Sequence, residues 1–365
     1  MKINLQSINT DDFKLKEGLL NGQVVYLVNP VEFNCKWRRD NLYLRSVLTD
    51  FEGNILSRGL NKFFNFGEKP DLYPNPEKHN DWVLTSKEDG SLMICDWIYD
   101  NLNVRTRGTI SYKNHENTDD FDFVINKYNI AGSCREYSDY SLLFELYSPT
   151  NVIVLKPYNE PEIIFLGVME KSTGQYYPFY SDFGKSVLNV IGNNCKIPEI
   201  FDMDGNILEI GEKIKLWEHK EGVVLNYNDG KTQLKLKSDW YLLRHRMKSE
   251  LSSCEKVIDL WISLNYPNYT DFYNEVFNSF DYEIAEMAKR HMSNICDAYK
   301  EVLKIVSHMK SFIEPLKGLH RKDAAMKILS SYGETNRKSF CFNLLDGKEL
   351  DGEAIKKLMF QVLKN

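Results

Sequence analysis

Up to about residue 245, apolar and polar positions alternate in short runs broken by turn residues, which predicts antiparallel strands and hairpins. Residues 43–48 and 55–58 flank Asp50-Phe51-Glu52-Gly53-Asn54, and residues 222–227 and 232–237 flank Asn228-Asp229-Gly230, so a hairpin is expected at each place. Beyond about Leu242 the period changes. Ile284, Ala288, Met292, Ile295, Tyr299, Val302, Val306, Met309 and Ile313 recur every three to four residues and draw one apolar stripe along a long helix, which Pro315 and Gly318 should stop. Residues 249–264, 323–331 and 352–363 are further helix candidates. The pattern predicts an α+β fold: an antiparallel-sheet domain over residues 1–245 followed by an all-helical domain over 246–365.

A chain of 365 residues with 42% hydrophobic and 27% charged residues is long enough for two cores and too apolar for wholesale disorder. No apolar run approaches the roughly 20 residues of a membrane span, and residues 1–17 lack a signal-peptide hydrophobic stretch. The expectation is a soluble protein that makes no membrane contact and stays in the cytoplasm. Seven cysteines, an odd number scattered singly, argue for free thiols and against structural zinc. The net charge of -6 excludes a globally basic nucleic-acid binder but leaves room for a local basic cleft. From Arg246 onward basic and acidic residues number 18 and 17, which leaves 28 and 35 of the totals 46 and 52 before it. Any positive site in the first domain must therefore arise from placement.

The sharpest local feature is Lys87-Glu88-Asp89-Gly90-Ser91-Leu92, between short strand-like runs at 82–84 and 92–98. Alone it reads equally well as a hairpin turn with a solvated lysine. Charged residues set into apolar strands change that. In residues 142–147, Leu142, Phe144 and Leu146 take one face while Glu145 shares the other with Leu143 and Tyr147, and a carboxylate there needs a partner or a ligand. Lys235 and Lys237 share the face opposite Leu234 and Leu236; two ammoniums about 7 Å apart repel unless something anionic lies between them or the face is solvated. Arg105 and Arg107 repeat the pattern, and Glu221 opens the hairpin that carries the lysine pair.

Together these residues suit a lysine that attacks a nucleotide phosphate. Neutralising an ordinary lysine at pH 7 costs about 4 to 5 kcal/mol, and neighbouring cations with partial burial are expected to lower that cost at Lys87. The same cations would neutralise charge on the α-phosphate and the departing pyrophosphate. Other phosphate devices are absent: Gly230-Lys231-Thr232 has Leu225 where a Walker loop needs its first glycine, and there is no GxGxxG, HExxH or GxSxG. The seven histidines show no metal-ligand spacing.

Over residues 43–241 this set resembles the covalent nucleotidyltransferases, specifically the RNA ligase 1 family known from T-even bacteriophages. The resemblance implies that Lys87 in the 87–92 motif carries AMP as a phosphoramidate, with Asp89 orienting its loop. It implies that Arg45 contacts the nucleotide, that Lys62, before the paired Phe63 and Phe64, engages the ATP phosphates, and that Glu145 binds the ribose. Glu221 corresponds to the acid tied to metal and catalysis. Lys235 and Lys237 correspond to the family's lysine pair, with Tyr241 as its trailing aromatic; Arg107 and Tyr241 are candidates for RNA contact. Departures are Ser46 where the family has glycine after the arginine, Arg107 where it has lysine before Gly108, and Met169 where an arginine can occur.

DNA ligases and capping enzymes usually carry an arginine two positions after the motif glycine and a small β-barrel downstream; here Leu92 and helices stand there instead. The implied cofactors are ATP and magnesium, with manganese as an alternative. The implied partner is RNA with 5′-phosphate and 3′-hydroxyl ends, nicked tRNA among the candidates, in the cytoplasm of the host if the chain is phage-encoded. A monomer is expected. The alternatives are a DNA-joining or end-adenylylating enzyme, and a nucleotide-binding protein without turnover. The helical domain either reads RNA architecture or caps the catalytic domain.

Overall fold

A computed structural model of the chain describes residues 2–363 apart from 32–34, 80, 115–116, 151, 156–157, 193, 229, 252, 280–281, 334 and 336; for 114, 246–251, 275, 277–279, 282–288 and 290 it describes the backbone alone. Two compact units emerge, Met1–Arg244 and His245–Asn365.

The first unit contains, in chain order, β1 (Phe13–Leu20), β2 (Gln23–Pro30), β3 (Val47–Asp50), β4 (Ile55–Arg58), β5 (Phe64–Asn65), β6 (Val83–Ser86), β7 (Ser91–Ile98), β8 (Asn101–Thr106), α1 (Thr118–Lys127), α2 (Ile130–Glu136), β9 (Tyr140–Tyr147), β10 (Glu162–Glu170), β11 (Tyr176–Pro178), α3 (Asp182–Ile191), β12 (Ile200–Phe201), α4 (Ile207–Lys215), β13 (Gly222–Tyr227) and β14 (Thr232–Lys237). They form three sheets, in the orders β1-β2-β3-β4, β11-β10-β9-β7-β8 and β12-β6-β13-β14-β5. All pairings are antiparallel except β5 with β14.

Burial explains the layering. Leu142, Phe144 and Leu146 of β9 join Phe121, Val124, Ile130 and Val187 of α1–α3 in one core behind the second sheet. Leu225, Leu234 and Leu236 join Ile207, Ile210 and Ile214 of α4 behind the third. The period-2 alternation thus leaves the polar positions of β9 and β14 on the opposite faces. Consecutive β6 and β7 belong to different sheets, so the four residues between them, Lys87–Gly90, are where the chain crosses from one to the other.

Both predicted hairpins form. In the first, Asp50 Oδ1 accepts from the Glu52 and Asn54 amides at 2.9 and 2.8 Å, and Gly53 has φ +85°, with Ile3 O 1.9 Å from where a Cβ would stand. The second pairs Gly222 with Lys237 and Tyr227 with Thr232; Asp229 of its turn lies outside the described residues. Residues 43–48 differ from expectation. Leu42–Arg45 is a 3₁₀ turn and the strand begins only at Val47, because Asn41 is tied to the chain before it: its Oδ1 accepts from Arg38 N at 2.8 Å and its Nδ2 donates to Lys36 O at 3.1 Å.

The second unit is helical: α5 (Asp239–Leu251) leads in from the first, followed by α6 (Cys254–Ser263), α7 (Tyr269–Ser279), α8 (Tyr282–Ile313), α9 (Arg321–Tyr332), α10 (Lys338–Leu345) and α11 (Gly352–Leu363). The predicted stripe faces its core, with Met292, Ile295, Val302, Met309 and Ile313 buried and Tyr299 and Val306 packed against them. The side chains of Ile284 and Ala288 lie outside the described residues. Trp261 anchors this core, its ring edge-on to Tyr299 at 4.6 Å and its indole N–H donating to Pro267 O at 2.8 Å. The single helix expected over 249–264 is two, because α5 ends at Leu251 and α6 begins after Ser253. No helix among the described residues is long and apolar enough to cross a membrane.

Candidate active site

The Lys87 loop is tied down on every side. Lys87 N donates to Gly222 O at 2.9 Å, which fastens it to the start of β13. Gly90 N donates to Glu145 Oε1 at 3.1 Å, and a Cβ at Gly90 would stand 2.5 Å from Leu146 O and 2.9 Å from Glu145 Cγ. The glycine is required by that close approach to β9. Asp89 is 3% exposed: its Oδ2 accepts from the Val154 and Leu155 amides at 2.8 and 2.7 Å, and its Oδ1 accepts from the Tyr241 hydroxyl at 2.5 Å. The Asp89 amide in turn donates to Tyr147 Oη at 2.9 Å, which donates to Glu88 Oε2 at 2.8 Å.

Tyr241 therefore departs from its expected place. At 2% exposure, with its hydroxyl committed to Asp89, it braces the lysine loop from the interior and offers no surface to RNA. Tyr241→Phe would strand one oxygen of a buried carboxylate, and a loss of about 1 to 3 kcal/mol in folding stability is expected. An unchanged urea midpoint would contradict this bracing.

Charge organises the rest. Glu221, 2% exposed, accepts at one oxygen from two lysines: Lys87 Nζ lies 2.9 Å and Lys237 Nζ 2.8 Å from its Oε1. Of the lysine pair, Glu221 thus neutralises Lys237, while Lys235 is set among cations. Its other oxygen, Oε2, is buried without a hydrogen-bond partner. Arg45, Lys87, Arg107, Glu145 and Lys235 line one cleft of about 400 Å³, with Phe63 among its walls. Lys235 Nζ sits 4.5 Å and Arg45 Cζ 5.6 Å from the Phe63 ring centroid. Lys62 is not in this cleft; it lies over Phe64 at 5.0 Å and lines a smaller cavity that shares Phe63.

The expected softening of Lys87 is reversed. Burial pushes its pKa down, but Glu221, Glu145 and Asp89 together outweigh burial, and the net shift is upward. The depressed amine is Lys235, taken down to about 7 by burial first and then by Arg45, Lys87, Lys62 and Lys237. Arg45 falls to about 10 through burial and the nearby Arg107, and Glu145 rises to about 7, chiefly through burial. Crowded cations of this kind favour an anionic ligand that relieves their repulsion.

One part of the site escaped sequence reasoning. Beside Lys87 a narrow slot of about 70 Å³ runs between Leu166, Tyr176 and Val224, with Thr85, Asn226 and Gln233 among its walls. Gln233 Nε2 donates to Asn226 Oδ1 at 2.9 Å, and Asn226 Nδ2 to Thr85 Oγ1 at 3.2 Å. The available signal was that Gln233 shares its strand parity with Lys235 and Lys237 and pairs across the hairpin with Asn226.

Comparison with known proteins adds the following. A family model described as RNA ligase matches residues 43–249. A Thermovibrio ammonificans protein provisionally named an RNA ligase is 23% identical over 317 residues, covering 84% of this chain and 78% of that protein. A protein of Autographa californica nuclear polyhedrosis virus, provisionally named a bifunctional polynucleotide kinase/RNA ligase, is 24% identical over 241 residues; the match covers 59% of this chain and only 32% of the viral protein. Among solved structures, an archaeal ATP-dependent RNA ligase superposes loosely, with TM-score 0.45 and 14% identity over 92% of this chain and 93% of that one. A Naegleria gruberi RNA ligase with PPi reaches 0.35 at 17% identity, over 47% of this chain and 53% of that one.

Proposed function

The chain belongs to the RNA ligase family matched across residues 43–249; from that premise we propose that it is an ATP-dependent enzyme that joins RNA 5′-phosphate and 3′-hydroxyl ends through an adenylate carried on Lys87. The observation that carries this reading is the placement of the Lys87 amine in a cleft whose other cations are Arg45, Arg107 and Lys235, beside a slot whose walls include Asn226 and Gln233.

Adenine enters that slot, where Asn226 and Gln233 offer hydrogen bonds to its edge. The ribose lies toward Glu145, and the phosphates extend past Arg45 and Lys235, with Lys62 behind Phe63 reaching their far end. Lys87 Nζ, once it has lost its proton, attacks the α-phosphorus; a nitrogen–phosphorus bond forms, the bond to the bridging oxygen breaks, and pyrophosphate leaves. An oxygen of the RNA 5′-phosphate then attacks the same phosphorus, freeing Lys87 and leaving AMP on the RNA end. The 3′-hydroxyl attacks the RNA phosphorus, and AMP departs as the phosphodiester forms. Arg107, on the cleft wall beside Gly108, is placed to hold the RNA 5′-phosphate.

The residues also fit a hard divalent cation. Glu221 Oε2 is a buried oxygen without a partner, and among the described residues no three acidic, imidazole or thiol groups converge on one point, so water and nucleotide phosphates would complete the shell. Magnesium, or manganese in its place, would supply neutralisation of triphosphate charge when bound.

ATP labelled at the α-phosphate should label the protein, and a chase with 5′-phosphorylated RNA should move the label to the RNA and then release it as AMP upon sealing. Label that binds but never becomes covalent would leave a nucleotide-binding protein. Transfer to DNA ends in preference to RNA would make the DNA-joining alternative correct. Comparing a nicked anticodon stem-loop with a linear strand in the same assay ranks the RNA substrates.

A further inference from the structure

Arg105 lies on β8 directly across from Ile94 of β7, and none of its surface is exposed. A guanidinium can be buried only where its N–H groups find acceptors. Its Nε donates to Ser57 Oγ at 2.9 Å, Nη1 to Ser46 Oγ at 2.8 Å and to Thr106 O at 3.3 Å, and Nη2 to Ser46 O at 3.3 Å. Ser46 Oγ, having accepted from Arg105, donates onward to Arg107 O at 2.9 Å. Ser46 O also accepts from Gly59 N at 2.8 Å.

These bonds converge on the two arginines of the cleft wall. Ser46 directly follows Arg45, and Thr106 directly precedes Arg107. The side chains of Arg45 and Arg107 are close enough that Arg107 lowers the pKa of Arg45. Two like charges held on separate segments separate unless their backbones are fixed. The forked geometry of arginine can fix two segments at once, and a lysine at the same position could not.

We propose that Arg105 is a positioning residue: through Ser46 it sets the spacing of Arg45 and Arg107 on one cleft wall, so that Arg45 meets the nucleotide phosphate being transferred while Arg107 is held beside it for the RNA 5′-phosphate. It touches neither nucleotide nor RNA. The identity of those phosphates rests on the ligase reading above.

Three variants separate positioning from packing: Ser46→Ala cuts the relay to Arg107, Arg105→Lys removes the fork, and Ser57→Ala cuts a bond of the same guanidinium that leads away from the cleft. Single-turnover adenylylation of Lys87 is measured against ATP concentration, alongside thermal unfolding. The maximum rate should fall about tenfold in Ser46→Ala and about 100-fold in Arg105→Lys, with half-saturation by ATP moving less than about threefold, because misplacement of about 1 Å acts on the rate more than on binding. Ser57→Ala should lower the melting temperature as much as Ser46→Ala and leave the rate within about twofold. The double variant Ser46→Ala/Arg105→Lys should be no slower than Arg105→Lys. Wild-type rates in Arg105→Lys, or equal slowing in Ser46→Ala and Ser57→Ala, would overturn the proposal. If Arg105→Lys does not fold, the contrast between the two serine variants decides. A wild-type protein that fails to label at Lys87 would instead overturn the ligase reading.

Discussion

Lys87→Ala should carry no covalent adenylate and should seal 5′-phosphorylated RNA at background level, a loss on the order of 10⁴ or more. The substitution removes the one protein atom proposed to bond phosphorus, while the loop that bears it stays tied through Asp89, Gly90 and the Lys87 backbone amide. Lys237 remains paired with Glu221 Oε1, so the buried carboxylate keeps a cation and the fold should persist. Lys87→Arg should be equally inactive, since a guanidinium keeps the charge but does not become neutral in this pH range. RNA supplied with AMP already on its 5′ end bypasses the nucleophile, and its sealing by Lys87→Ala should stay within about tenfold of wild type. Labelling that survived in this variant would place the nucleophile elsewhere.

Lys235→Ala should slow adenylylation by about 10²- to 10³-fold, the range found when one preorganised group facing developing charge is removed. Its protonation adds a second test. With a pKa lowered to about 7, Lys235 is charged below that pH and loses its proton as pH rises through it. A bound triphosphate favours the charged form, so ATP binding at pH 8 should draw a proton onto Lys235. Calorimetry in buffers of different ionisation enthalpy would register that uptake. In Lys235→Arg, whose side chain is charged throughout, the uptake at this position should vanish; equal buffer dependence in the two proteins would assign the proton to another group, with Glu145 next in line.

What the sequence made legible follows from the range of the forces involved. Strand alternation is local, so Glu145, Lys235 and Lys237 could be placed on the face opposite their apolar neighbours without knowledge of the fold, and the 222–237 hairpin carried its own register. The stripe along α8 was equally local. Arg45 was harder: Tyr43, Leu44 and Arg45 look like strand, but Asn41 turns them into a 3₁₀ segment. The burial of Tyr241 depends on a carboxylate 152 positions away. The sign of the Lys87 shift depends on Glu221 arriving from β13, which no local pattern encodes. The slot beside Lys87 takes walls from β6, β9, β10, β11, β13 and β14 as well as from the lysine loop itself, so the local motif shows only one side of it.

The carboxylate oxygen shared by Lys87 and Lys237 acts as a safety catch on the enzyme's own chemistry. An ammonium has no lone pair to give, so metabolic acyl phosphates and other stray electrophiles diffusing into the resting cleft meet an inert side chain. A triphosphate by itself would favour that charged form further, so nucleophilicity waits on removal of the proton held between Lys87 Nζ and Glu221 Oε1.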